Sequence, residues 1–295
     1  MRAALAGVMG GLLVASTAGT AVANAVPDPS PTPTATGTAT PTPTSSPAYP
    51  APTTVAPSPS PTPTPAPTLT PTTAATTPAP TMAGYPRFYR ASVKRGDADG
   101  DVYHIKNIRE LQYRLRWAGA YTGSATGYFG PLTEGAVKLF QSRNLLPVTG
   151  SVNLATWQKL IGKTTRYLYR VPSVCRASGW HSCYDRASHQ LFGYYYGTLW
   201  NVWLVRGGAY SSQTDLGTFT VYARYAQKSS TIYGTLMYYF QKFNGAEGLH
   251  GSITMIDPLI GHSHGCVNMY IKDSKVLWDM TTGKRHVVTV YGAWS

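Results

Sequence analysis

The order of apolar and polar positions divides the chain into four stretches. Met1-Arg2 is followed by Ala3 to Ala15, an apolar run of Ala, Leu, Val, Met and Gly, and then by small residues ending in Ala23-Asn24-Ala25. That layout predicts an export signal over residues 1–25, cleaved before Val26. From 26 to 86 no apolar period survives, and Pro alternates with Thr, Ser or Ala, as in Pro61-Thr62-Pro63-Thr64-Pro65. Such a stretch lacks ladder donors and buries almost nothing, which predicts a disordered Pro/Thr-rich linker. In the third stretch Ile105, Ile108, Leu111 and Leu115 recur at helical spacing, with Arg109, Glu110, Arg114 and Arg116 between them. Residues 133–141 repeat the pattern through Ala136, Val137 and Phe140, and Asn153 caps a third segment carrying Leu154, Trp157, Leu160 and Ile161. A small all-α, three-helix bundle over 94–162 is predicted. From 163 to 295 the pattern turns to alternation between glycines: 202–205, 217–222 and 286–291 read as strands of a mostly-β, β-sandwich-like domain.

Composition then narrows the classes. Residues 26–86 hold 19 of the 23 prolines, which leaves 209 residues (295 − 86) to fold, enough for two modest domains. Arg2 and Asp28 lie outside them, so the folded part carries 24 − 11 = +13. That surplus suits anionic polymers, while the absence of a nucleic-acid motif argues against nucleic acid as partner. No second apolar run predicts a transmembrane span. Coiled coil, collagen and integral-membrane protein are excluded. At ~3.1 Å per residue in polyproline II the linker would reach more than ~100 Å, either to carry a domain through a polymer layer or simply as a spacer.

The three cysteines separate into a pair and a single residue. Cys175 and Cys183 flank a seven-residue loop, and in an exported chain a disulfide between them is the simple reading. Zinc held by Cys175, His181 and Cys183 has only three ligands at poor spacing. Cys266 is the odd thiol, within Ser263-His264-Gly265-Cys266-Val267-Asn268, with His250-Gly251 sixteen residues upstream. A cysteine nucleophile needs an imidazole nearby, because at a pKa near ~8.5 little thiolate exists at neutral pH. The same imidazole can return a proton to a leaving amine. Gly265 allows close backbone approach, so amides around Cys266 are candidates for an oxyanion hole.

Two resemblances sharpen these readings. Leu111-Gln112, Leu115, Gly119, Gly127-Tyr128-Phe129-Gly130, Thr133, Ala136-Val137, Phe140-Gln141, Leu145, Gly150 and Thr156-Trp157 resemble the three-helix peptidoglycan-binding module. This resemblance implies docking on cell-wall glycopeptide. His250-Gly251 and 263–268, with Thr214, Gly217 and Phe219 before them and Asp279, Gly283 and Val287-Val288 after, closely resemble the L,D-transpeptidase catalytic signature. Asp215 departs from it, standing where many relatives have Pro after the Thr, and Asn268 stands where the family has Arg or Asn.

By that resemblance Cys266 is the nucleophile and His250 the general base and acid, oriented by the Gly251 carbonyl. His264 supports the site and the Gly265 amide holds the oxyanion; the reverse assignment of the two histidines stays open. Ser263, Asn268 and Tyr239 are expected at the substrate, and a flexible lid is expected from 237–240 and 245–248. The implied reaction forms 3→3 cross-links in peptidoglycan with release of D-Ala and no cofactor. The implied partners are stem peptides and glycan, with β-lactams of the carbapenem type as inhibitors. Water as acceptor would make the same site an L,D-carboxypeptidase. The rival of another class is a catalytically silent wall-binding protein, and a third reading is a zinc peptidase using His250, His262 and His264.

Overall fold

The computed structural model describes residues 81–295. The expected export signal and the linker as far as residue 80 lie outside the described residues. The last six residues assigned to the linker are not free chain. Strands β1 (Thr81–Met82) and β2 (Tyr85–Pro86) pair antiparallel, Met82 is buried, and the Tyr85 hydroxyl donates to Asp279 Oδ2 at 2.9 Å. The composition that suppresses structure ends before Met82, and aromatic residues there find partners.

The helical stretch forms α1 (Ile108–Trp117), α2 (Pro131–Arg143) and α3 (Leu154–Thr164). Ile108, Leu111, Leu115, Val137, Phe140, Trp157, Leu160 and Ile161 are all buried in one cluster. Pro131 starts α2, where its missing N–H costs nothing. Asn153 Oδ1 accepts from the Thr156 amide at 3.0 Å, the cap expected of it. Ile105 falls outside α1, contrary to the periodicity. Asn107 is left-handed (φ 62°), and the Asp99 carboxylate accepts from the amides of Lys106, Ile108 and Arg109. That carboxylate satisfies the free donors of the first turn, so the helix starts there. Two buried glutamines hold the loops: Gln112 bonds the Gly127 amide and the Tyr128 carbonyl, and Gln141 bonds the Gly150 amide and the Ser151 carbonyl.

The remaining residues build two sheets. One comprises β3 (Trp180–Asp185), β4 (Gln190–Tyr195), β5 (Thr198–Leu204), β6 (Gly217–Thr220) and β11 (His286–Tyr291), in the order β5-β4-β3-β11-β6. The other comprises β7 (Ala223–Ser229), β8 (Leu236–Asn244), β9 (Glu247–Ser252) and β10 (Val267–Met269), in the order β10-β9-β8-β7, with β10 parallel to β9. Helix α4 (Ile271–Thr281), unpredicted, follows β10. Its Val276, Leu277 and Met280 join Trp180, Tyr184, Trp203, Leu249, Val267 and Val288 in the core between the sheets.

The five-stranded sheet is buried on both faces because alternation sends its apolar residues both ways. Trp180, Tyr184, Leu191 and Trp203 face the second sheet, whereas Cys183, Phe192, Tyr194 and Val202 join the helical cluster. The boundary expected between 162 and 163 is therefore crossed by continuous apolar packing.

A buried ionic network reinforces that junction. Arg90 and Arg114 both bond the Glu110 carboxylate, at 2.8 Å each, and both donate to the Val202 carbonyl of β5. Asn107 Nδ2 donates to Glu110 and, at 3.1 Å, to Asp273 of α4. Burial pushes the Glu110 carboxyl up, but the Arg90 and Arg114 guanidiniums overcome it and hold it at about 2. Removing one partner of such a network strands a charge and costs about 3–5 kcal/mol.

Candidate active site

Strand register assembles the site. Asn268 pairs with His250 and Val267 with Leu249 on the parallel strands β10 and β9. A period of two then places Cys266 and Asn268 on the same face as Gly248, His250 and Ser252, while Leu249, Val267 and Met269 point into the core. His250, Ser252, Ser263, His264, Cys266 and Asn268 line one cavity of about 400 Å³.

The His250 ring is buried, and its Nδ1 lies 3.1 Å from the Gly251 carbonyl oxygen. A carbonyl only accepts, so Nδ1 carries the hydrogen and Nε2 is left as the basic nitrogen. Position 251 must be glycine, since a Cβ there would sit 2.7 Å from Ile271 Cα of α4. Burial holds the imidazole at about 4; the Gly251 contact opposes that shift and the Arg206 charge adds to it. Burial pushes the Cys266 thiol up to about 11, eased by a hydrogen bond from the Gly248 amide and increased by the Glu247 carboxylate. At rest the thiol is neutral and donates to the Ala246 carbonyl at 3.7 Å, and the imidazole lining the same cavity is neutral too.

Ser263 ties the loop before the nucleophile. Its hydroxyl donates to the Cys266 carbonyl and accepts from the Gly265 amide at 3.1 Å, and its backbone joins Gly207 and Ala209. The Gly265 amide, expected at the oxyanion, is therefore engaged in the resting site. Gly265 itself has φ 119°, a conformation that L side chains rarely adopt. Asn268 Nδ2 donates to Ser252 Oγ at 3.3 Å, and its buried Oδ1 has no partner among the described residues. His264 is exposed and stacks on Tyr233, with ring centroids 4.1 Å apart.

Tyr239, expected at the substrate, does not line the cavity. The β8–β9 register slips between Tyr238 and Gln241, and Tyr239 takes φ 53°. The bulge inserts one residue, so after Met237 the cavity face is continued by Phe240 and Lys242. Tyr239 instead packs against α4, 6.0 Å from the Trp278 ring. Residues 237–240 are part of β8, and the wall over the cavity is the 230–235 turn of the β7–β8 hairpin, including Tyr233.

Sequence reasoning missed Arg206. Its backbone bridges Asn268, and its guanidinium donates to Thr254 Oγ1 and the Ile260 carbonyl, holding the 253–262 segment that walls the cavity. It was legible only as one arginine next to a predicted strand. Cys175 and Cys183 are joined as a disulfide. His262 lies against Trp294, while His250 is committed to Gly251; among the described residues no three potential metal ligands gather.

Comparison with known proteins agrees with both halves of this architecture. Residues 105–160 match the family described as "Putative peptidoglycan binding domain", and residues 180–290 match the L,D-transpeptidase catalytic domain. A spore cortex-lytic enzyme of Bacillus cereus is 39% identical over 80 residues, which is 27% of this chain and 28% of that enzyme. The match thus spans under a third of the relative's length. An L,D-transpeptidase structure from Stackebrandtia nassauensis is 26% identical, covering 68% of this chain and 95% of that one, with a TM-score of 0.44. One from Xylanimonas cellulosilytica is 24% identical over 69% of this chain and 98% of that one, with a TM-score of 0.40. The chain carries a peptidoglycan-binding domain followed by an L,D-transpeptidase catalytic domain.

Proposed function

We propose that the protein is an exported peptidoglycan L,D-transpeptidase that forms 3→3 cross-links through a thioester on Cys266. The observation that carries this reading is the placement of Cys266 and His250 on one face of two paired parallel strands, in one cavity, with the His250 tautomer fixed by Gly251.

The donor stem enters the cavity beside Cys266. His250 Nε2 takes the thiol proton as sulfur attacks the carbonyl between the L-centre of the third residue and the terminal D-Ala. With the thiol near about 11 and the imidazole near about 4, the ion pair is unfavourable at rest. Proton transfer is therefore coupled to attack rather than completed before it. The oxyanion falls first to the Cys266 amide; the Gly265 amide joins when the Ser263 hydroxyl turns from it. His250 returns the proton to the departing D-Ala amine, leaving the thioester. The acceptor amine then gives a proton to His250 and attacks the thioester; an amide forms and the thiolate is reprotonated. Asn268 Oδ1 accepts an N–H of the donor peptide, and His264 with Tyr233 shapes the cavity mouth. Water in place of the amine makes the tripeptide.

The peptidoglycan-binding domain holds the enzyme on its polymer, in the extracytoplasmic wall, and the basic surface favours anionic wall polymers. A carbapenem opened by the same sulfur tests the reading. Intact mass should rise by one inhibitor in the native protein and stay unchanged in Cys266→Ser. Equal labelling of both would place the reactive group elsewhere.

A further inference from the structure

We propose that a partly exposed strip of aromatic and arginine side chains, on α1 and the segment after α3, binds the glycan strands of peptidoglycan, apart from the Cys266 cavity. The ligand class is an N-acetylated hexosamine polymer bearing carboxylated peptides, so the inference rests on the peptidoglycan reading above. Tyr113 and Trp117 lie one turn apart on α1, with stacked rings 6.3 Å between centroids. Arg166 lies 5.4 Å from the Trp117 ring and 5.0 Å from that of Tyr167. Arg170 lies 4.4 Å from the Tyr167 ring and 5.5 Å from that of Tyr169. Six side chains thus form one continuous run of ring and guanidinium planes.

Core packing does not account for the rings. None of the four rings belongs to a hydrophobic core among the described residues, and Tyr169 is 78% exposed. Arg116 at the edge of the strip, Arg166 and Arg170 have no carboxylate partner among the described residues. Mutual stacking holds the planes in place before any ligand arrives, which lowers the entropy lost on binding. Flat, fixed rings suit the C–H faces of pyranose units. Guanidiniums without a carboxylate suit acetamido carbonyls and the carboxylates of stem peptides, which supply the missing charge.

The strip also has a defined end. The Tyr113 hydroxyl donates to Asp257 Oδ2 at 2.9 Å, and Asp257 lies between Thr254 and His262, both on the cavity wall. The Arg90–Glu110–Arg114 network fixes α1 to β5. A glycan on the strip is thereby held at a constant angle to the cavity.

The test uses the full chain, Tyr169→Ala/Arg170→Ala and Arg170→Gln alone, in co-sedimentation with purified sacculi freed of anionic polymers. Turnover of a soluble disaccharide-tetrapeptide is measured alongside. Retention of the double variant should fall at least about fivefold, with soluble turnover and unfolding midpoint unchanged. If the double variant is unstable, the exposed single replacement must show a loss of the same sign. Unchanged retention overturns the inference. A loss confined to sacculi that keep their anionic polymers assigns the strip to those polymers and also overturns it. Wild-type protein that fails on the soluble substrate, while the variants still lose retention, refutes the transpeptidase reading and leaves the strip standing.

Discussion

His250 stands directly opposite Asn268 across paired parallel strands, and Cys266 is two residues before Asn268 on the same face. Strand register places His250 and Asn268, and the Ser263-tied loop that enters β10 brings Cys266 to the same cavity. Parallel strands lie about 4.8 Å apart, so one diagonal step separates positions 250 and 266.

Acid sensitivity follows from two buried histidines. Burial holds His250 at about 4 and His286 at about 3, against 6.5 ordinarily. The unfolded chain binds more protons than the folded one below about 6.5, so stability falls as pH falls through that window, by roughly 1.4 kcal/mol per unit per ring. Glu110 behaves differently: held at about 2, its contribution is complete above 4.5 and is lost only below that. Unfolding midpoints measured from pH 7 to 4.5 should drop steadily, and His286→Gln should flatten the slope. A flat profile would refute neutral burial of these rings.

Arg206 acts on the site through its neighbours. Its guanidinium fixes the 253–262 segment and its charge helps keep His250 neutral. Arg206→Met should move the acid limb of kcat/KM upward by about half a unit to one unit and raise KM. Loss of activity with an unmoved limb would mean the arginine only supports the fold.

The helical and β regions should unfold together. Glu110→Gln leaves Arg90 and Arg114 facing a neutral amide and should destabilise the chain by about 3 kcal/mol or more. Calorimetry should show one transition for residues 81–295, shifted downward as a whole. Two transitions would contradict a shared core.

The disulfide adds a smaller increment. Replacing Cys175 and Cys183 together should cost roughly 2–3 kcal/mol and leave soluble-substrate turnover intact, since both are buried in the helical cluster away from the cavity. A large loss of turnover at unchanged stability would count against that separation.

What was legible followed from regular periods. Leu111 and Leu115 mark α1, 286–291 reads as β11, and the run from Ser263 to Asn268 marks the nucleophile. Illegible elements broke their period. β7 is mostly exposed, so it shows no alternation, and α4 keeps helical spacing at Val276, Leu277 and Met280 but completes its buried face with Asp273, Ser274 and Thr281, which shortens the apolar stripe. The bulge at Tyr239 reverses parity within β8, so Phe240 rather than Tyr239 reaches the cavity. Arg206 acquires its place only when β10 returns beside it, a long-range pairing that no local window contains.

The most direct measurement is mass spectrometry of the chain without its first 25 residues, incubated with a purified disaccharide-tetrapeptide beside a Cys266→Ala control. The native protein should make a dimer lighter than two monomers by one D-Ala, absent from the control. A dimer formed equally by both, or no product from a folded native protein, would contradict it.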